Sequence, residues 1–243
     1  MKTGQGFRKS WPVFVLTNSY ICVPMSLLQQ VKSLIAKDLT LEWRSKYAIN
    51  GVLLYVVSTV FVCYQAFRSV DTIIWNALFW IILLFASINA ISRSFVQESP
   101  ARQLYYYSIA SPRSIILSKI IYNILLMGVL SAIAYTVYSL IFKNPVGDPL
   151  FYMLSILLGS ISFATVFTMV SGISSKTGNN STIMAILSFP VIIPLLIVLI
   201  KLSNQALQGA SRPESYGEIG VLLAINVITI TVSLLLFPYL WRD

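Results

Sequence analysis

Apolar residues in this chain gather into long blocks, not short periods. Six blocks are long and apolar: roughly Tyr47–Phe67, Ile73–Ser92, Ile115–Phe142, Leu150–Gly172, Thr182–Lys201 and Glu218–Leu240. About 20 apolar residues in a helix cross the roughly 30 Å of hydrocarbon in a bilayer, so each block predicts a transmembrane helix. The third is long enough to tilt or to protrude. Before the first block the pattern changes. In "SLLQQVKSLIAKDLTLEWRSK", Leu27, Leu28, Val31, Leu34, Ile35 and Leu39 recur at helical spacing, while Gln29, Gln30, Lys32, Lys37 and Asp38 fall largely elsewhere. Ser26 and Gln29 match a capping box, in which each side chain bonds the other's backbone N–H. Residues 25–46 therefore predict an amphipathic helix. Its basic residues and Trp43 suit the headgroup layer of the membrane it adjoins.

Composition agrees with the pattern. The 243 residues are 57% hydrophobic and 10% charged, against about 25% charged in a soluble domain. The class predicted is an all-α membrane protein with six transmembrane helices in residues 47–243. The net charge of +9 does not point to nucleic acid, because the basic residues form no single patch. Lys2, Arg8, Lys9, Lys32, Lys37, Arg44, Lys46, Arg93, Arg102, Arg113, Lys119, Lys176 and Arg242 fall on one side of the predicted topology. Only Arg68, Lys143, Lys201 and Arg212 fall on the other. Cytoplasmic loops carry the excess of Lys and Arg, so both termini are expected in the cytoplasm.

Residues 1–24, "MKTGQGFRKSWPVFVLTNSYICVP", have a basic start and a short apolar run that Thr17, Asn18 and Ser19 interrupt. A signal ending at Cys22 fits poorly, since bulky Ile21 precedes the cysteine. An extension upstream of a true start at Met25 fits better.

Catalytic chemistry has few candidates. The chain has no histidine and only two cysteines, Cys22 and Cys63. The commonest general base and metal ligand is thus missing, and two cysteines make neither a disulfide framework nor a metal site. "GISSKTGNN" has a Lys-Thr pair, but Ser175 stands where a phosphate loop needs glycine. No acid lies near a predicted midplane, where proton-coupled transporters place ionisable groups. Neither an enzyme nor a self-powered ATPase is expected, and no cofactor or metal is expected to be held directly.

Between the second and third blocks lies "ESPARQLYYYSIASPRS". Ser99-Pro100 is a helix start, and Ser111-Pro112 both ends that short helix and opens the third span. Tyr105, Tyr106 and Tyr107 cover most of its circumference, with Glu98, Arg102 and Arg113 around them. Two readings stand level: an interfacial aromatic belt, or a docking knob, since aromatics and Arg anchor protein–protein contacts. Three other features are singled out. Ser160, Ala164, Thr168 and Gly172 form a small-residue stripe suited either to packing within the bundle or to a dimer seam. Asn76, Asn89, Asn123 and Asn226 are expected to bond neighbouring helices. Pro190 and Pro194, one turn apart, mark a kink or a hinge.

Taken in order, "KDLTLEWRSK", "RSFVQESPARQLYYYSIASPRSIILSKIIYN" and "SGISSKTGNNSTIMAILSFPVIIPLLI" resemble the CcmB family from about Met25 onward. That family supplies the membrane subunit of the cytochrome c maturation ABC transporter. The resemblance implies an exporter-type ABC permease fold with an N-terminal elbow helix and a cytoplasmic coupling helix. Glu98, Arg102, Tyr105, Tyr106 and Tyr107 would dock a separate ATPase subunit, which binds the ATP. It further implies a homodimer in the bacterial inner membrane, with other cytochrome c maturation proteins and a haem chaperone as partners. Haem would be the substrate, either exported or handed on when ATP hydrolysis releases a haem-loaded chaperone. The absence of His fits the second route better, since haem iron usually takes a protein ligand. Alternatives are an exporter of lipid, polysaccharide or drug, and a scaffold that transports nothing.

Overall fold

The computed structural model describes residues 26–45, 47–67, 70–92, 111–175, 180–209 and 215–240. Among them are seven helices: α1 (Leu27–Ser45), α2 (Tyr47–Ala66), α3 (Thr72–Ile91), α4 (Pro112–Ile141), α5 (Pro149–Ser174), α6 (Asn180–Gln208) and α7 (Tyr216–Leu240). Five of them, α3 to α7, are long and apolar enough to cross a membrane. In α2 the apolar helix Asn50–Ala66 is shorter. Residues 1–24 and the predicted docking segment with Glu98, Arg102, Tyr105, Tyr106 and Tyr107 lie outside the described residues.

Helix starts follow from local chemistry. The predicted capping box is present: the Ser26 N–H donates to Gln29 Oε1 at 3.2 Å, and the Gln29 N–H donates to Ser26 Oγ at 3.4 Å. At α4, Ser111 caps and Pro112 occupies the first turn, with the Ser114 N–H donating to Ser111 Oγ at 3.3 Å. The same grammar opens α5, where Asp148 Oδ1 accepts from the Phe151 N–H at 3.2 Å and Pro149 follows. In each case a side chain satisfies a first-turn donor that the helix itself cannot.

The bundle is organised around α5, which packs on α3, α4, α6 and α7. α2 packs on α3 and α4, and α1 lies chiefly on α4. Every residue of the small-residue stripe, Ser160, Ala164, Thr168 and Gly172, is buried within the subunit. Ser160 Oγ donates to Ser131 Oγ of α4 at 2.8 Å, and Asn123 Nδ2 donates to Thr168 Oγ1 at 2.8 Å. Ser160 and Thr168 of the stripe thus bond α4 within the subunit. On another side of α5, Asn226 Nδ2 donates to Ser162 Oγ and Thr165 Oγ1 donates to Asn226 Oδ1, both at 2.9 Å. Without water in the hydrocarbon, such groups gain by pairing between helices.

The end of the bundle away from α1 holds an aromatic core of Trp75, Phe79, Trp80, Tyr138, Tyr152 and Phe163. Tyr138 OH donates to the Trp75 carbonyl at 2.9 Å, which satisfies its hydroxyl within the apolar cluster. Asn76 is fully buried here and donates to the Ile200 carbonyl at 3.0 Å, while its Oδ1 accepts from Ser203 Oγ at 2.9 Å.

Two expectations need correction. The fifth span was expected to end near Lys201. Instead α6 continues to Gln208, because Leu202, Ala206 and Leu207 carry the buried face past Lys201. Ser203 is fully buried on that extension, and α7 already begins at Tyr216. Asn89 is the second. Unlike Asn76, Asn123 and Asn226, it is exposed and donates to the Phe85 carbonyl of its own helix at 3.0 Å.

Candidate functional site

A set of charged and polar contacts joins α1 to the first three turns of α4. α4 has 30 residues, about 45 Å at 1.5 Å per residue, so it exceeds the roughly 30 Å hydrocarbon thickness. Residues 30, 34, 38 and 42 of α1 recur every fourth position and form one stripe. Gln30 Oε1 accepts from the Ser111 N–H at 3.3 Å and from Ser114 Oγ at 2.8 Å. Leu34 packs into a cluster with Ile115, Ile116 and Ile120 of α4 and Phe237 of α7. Asp38 Oδ2 lies 3.1 Å from Lys119 Nζ, and both side chains are only 6% exposed. Tyr122 OH donates to Glu42 Oε2 at 3.1 Å. Partners advance together along both helices, so α1 and α4 run side by side in one direction.

This arrangement departs from the simple amphipathic reading. Asp38 and Gln30 were expected largely off the apolar face, yet they point into the contact. At 100° per residue, Asp38 falls between Val31 and Leu34, inside the apolar arc. Leu28 instead is 78% exposed, with Leu27, Leu39 and Leu41 also exposed. An apolar seam alone could slip by a turn. The Asp38–Lys119 pair sits between two hydrogen-bonded ends, and removing one partner of a buried pair costs about 3–5 kcal/mol.

The signals for this site were legible separately. Lys119 is a charge inside an apolar block, and a buried lysine requires a partner. Asp38 is an acid inside an apolar arc. Sequence spacing could not join them, because 81 residues separate them. The contact ends at Ser111, the residue that closes the predicted docking segment. The other singled-out residues lie elsewhere. Pro190 and Pro194 sit in the middle of α6, whose helix runs unbroken through both.

Among the described residues no group of three or more His, Cys, Asp or Glu could hold a metal ion. A mostly apolar groove lies between α2, α3 and α4, with Glu42 and Asn89 among its lining residues.

A bundle with five membrane-length helices among the described residues, joined by buried polar links, fits a multi-pass membrane protein. A family model described as CcmB protein matches residues 29–240. The chain belongs to the CcmB family. Membership points to haem transport and cytochrome c maturation, and to the membrane subunit of a haem-exporting ABC transporter. No curated protein matches the chain significantly.

Proposed function

We propose that this chain is the permease subunit of an ABC complex in the bacterial cytoplasmic membrane, delivering haem for c-type cytochromes. The match to the CcmB family over residues 29–240 carries this reading. In it the chain spans the membrane six times, with α2 as the first span, α1 as the elbow helix and both termini in the cytoplasm. The excess of Lys and Arg at span ends on one side supports that orientation. The chain lacks a phosphate loop, so a separate subunit hydrolyses the ATP. Two copies of each subunit make the working complex, together with other cytochrome c maturation proteins.

The segment Glu98–Ala110 is the coupling helix. Tyr105, Tyr106 and Tyr107 give apolar contact with a groove of the ATPase, and Glu98 and Arg102 orient it. Closure of two ATPase subunits on ATP moves this helix and rocks the spans. The movement either passes haem outward or releases a haem-loaded chaperone from a membrane partner. Pro190 and Pro194 of α6 give way as the hinge, since each removes a backbone donor.

The test is co-purification. Arg102→Glu combined with Tyr106→Ala leaves the subunit inserted in the membrane and detaches the ATPase. Normal recovery of the ATPase with this double variant would refute the docking assignment.

A further inference from the structure

We propose that α1 is a second output arm of the complex, which carries movement arriving at Ser111 into the first span, and that Asp38 and Lys119 are the positioning residues that lock it. This rests on the reading of residues 98–110 as the coupling helix. Ser111 is the point of entry. Its N–H and the Ser114 hydroxyl both donate to Gln30 Oε1, so α1 is held at the start of α4. Two and three turns further on, Asp38–Lys119 and Glu42–Tyr122 hold it again. α1 ends at Ser45 and α2 begins at Tyr47, with only Lys46 between them in the chain. Displacement of Ser111 therefore reaches α4 through the chain and α2 through α1.

Burial argues that this is a lock. Asp38 also has Lys37 within 3.2 Å, but Lys37 is four times as exposed as Asp38, and only Lys119 shares its burial. α1 docks through Val31 and Leu34, and to that apolar contact it adds a buried ion pair that anchoring alone does not need. Fixed register is what transmission needs. An arm that slips by one turn delivers no displacement, whereas bulk stability survives the slip.

The experiment uses the full complex and measures two quantities: ATP hydrolysis by the purified complex, and c-type cytochrome formed in cells. Asp38→Asn and Lys119→Met are expected to retain the ATPase and to keep hydrolysing ATP. Cytochrome formed per ATP hydrolysed should fall about tenfold, within the usual span of coupling free energies. The charge swap Asp38→Lys with Lys119→Asp should restore most of it, as residues acting as a pair do in a double-mutant cycle. A purely structural role would lower complex yield and hydrolysis together and leave their ratio to cytochrome unchanged, which would overturn the proposal. Should the single variants fail to fold, a cross-link decides. Gln30→Cys joined to Ser114→Cys by a short bifunctional maleimide, with Cys22 and Cys63 replaced by Ser, should preserve delivery if the two helices move as one body. Loss of delivery on cross-linking alone would overturn the proposal. A wild-type complex containing no ATPase would bring down the permease reading itself, and that is visible before any variant is made.

Discussion

Beneath the Trp80 indole there is room for hydrogen and little else. A Cβ added at Gly159 would clash with Cζ3 and Cη2 of Trp80 and would meet Leu199 Cδ2 at 3.2 Å. Trp80 cannot swing aside, because it is fully buried and its Nε1 donates to Ser203 Oγ at 2.7 Å. Gly159→Ala should therefore destabilise the subunit by about 1–3 kcal/mol, the usual cost of overpacking a dense core. Thermal unfolding in mild detergent measures it, and an unchanged midpoint would mean that the α3–α5–α6 contact is looser than described. None of this was legible in the chain. Gly159 falls outside the small-residue stripe, one position before Ser160, and only the fold brings Trp80 to it. The asparagines were more legible. An amide inside an apolar block must find a partner, which Asn76, Asn123 and Asn226 do across helices. Asn89 escapes that rule because it is exposed in the last turn of α3, where its own helix supplies the acceptor.

At the scale of elements, helix positions were readable because bilayer thickness and the helical rise leave little freedom. Their ends were readable where a capping residue precedes proline, as at Ser111-Pro112. The end of α6 was not, because Lys201 interrupts hydropathy without interrupting the helix. Lys201 Nζ reaches Glu218 Oε1 of α7 at 2.7 Å, and the charge stays largely exposed while the helix passes beneath it. The prolines in α6 belong to this scale too. At Pro190 and Pro194 the carbonyls four residues earlier, those of Ile186 and Pro190, lose their intrahelical donors. Replacing both prolines with alanine restores those donors and stiffens the helix. The double variant should insert, retain the ATPase and unfold no earlier than wild type, yet form less cytochrome per ATP hydrolysed. Undiminished delivery would reduce the prolines to a fixed feature of the helix.

At the scale of the molecule, the membrane class followed from composition and the block pattern, and the family model agrees over residues 29–240. The organisation of the bundle did not follow. Block patterns give each helix an apolar surface all round, so they do not say which helix is central. In the fold that place falls to α5, whose serines, threonines, two glycines and Ala164 let α3, α4, α6 and α7 approach it. The α1–α4 contact was equally hidden, since it joins an acid and a lysine 81 residues apart. The central claim, that this subunit works with an ATPase in delivering haem, is tested most directly by purifying the native complex from membranes in mild detergent and identifying its proteins by mass spectrometry. The account predicts one ATPase subunit together with cytochrome c maturation proteins. An intact complex containing those maturation proteins and no ATPase would contradict it and leave a scaffold in its place.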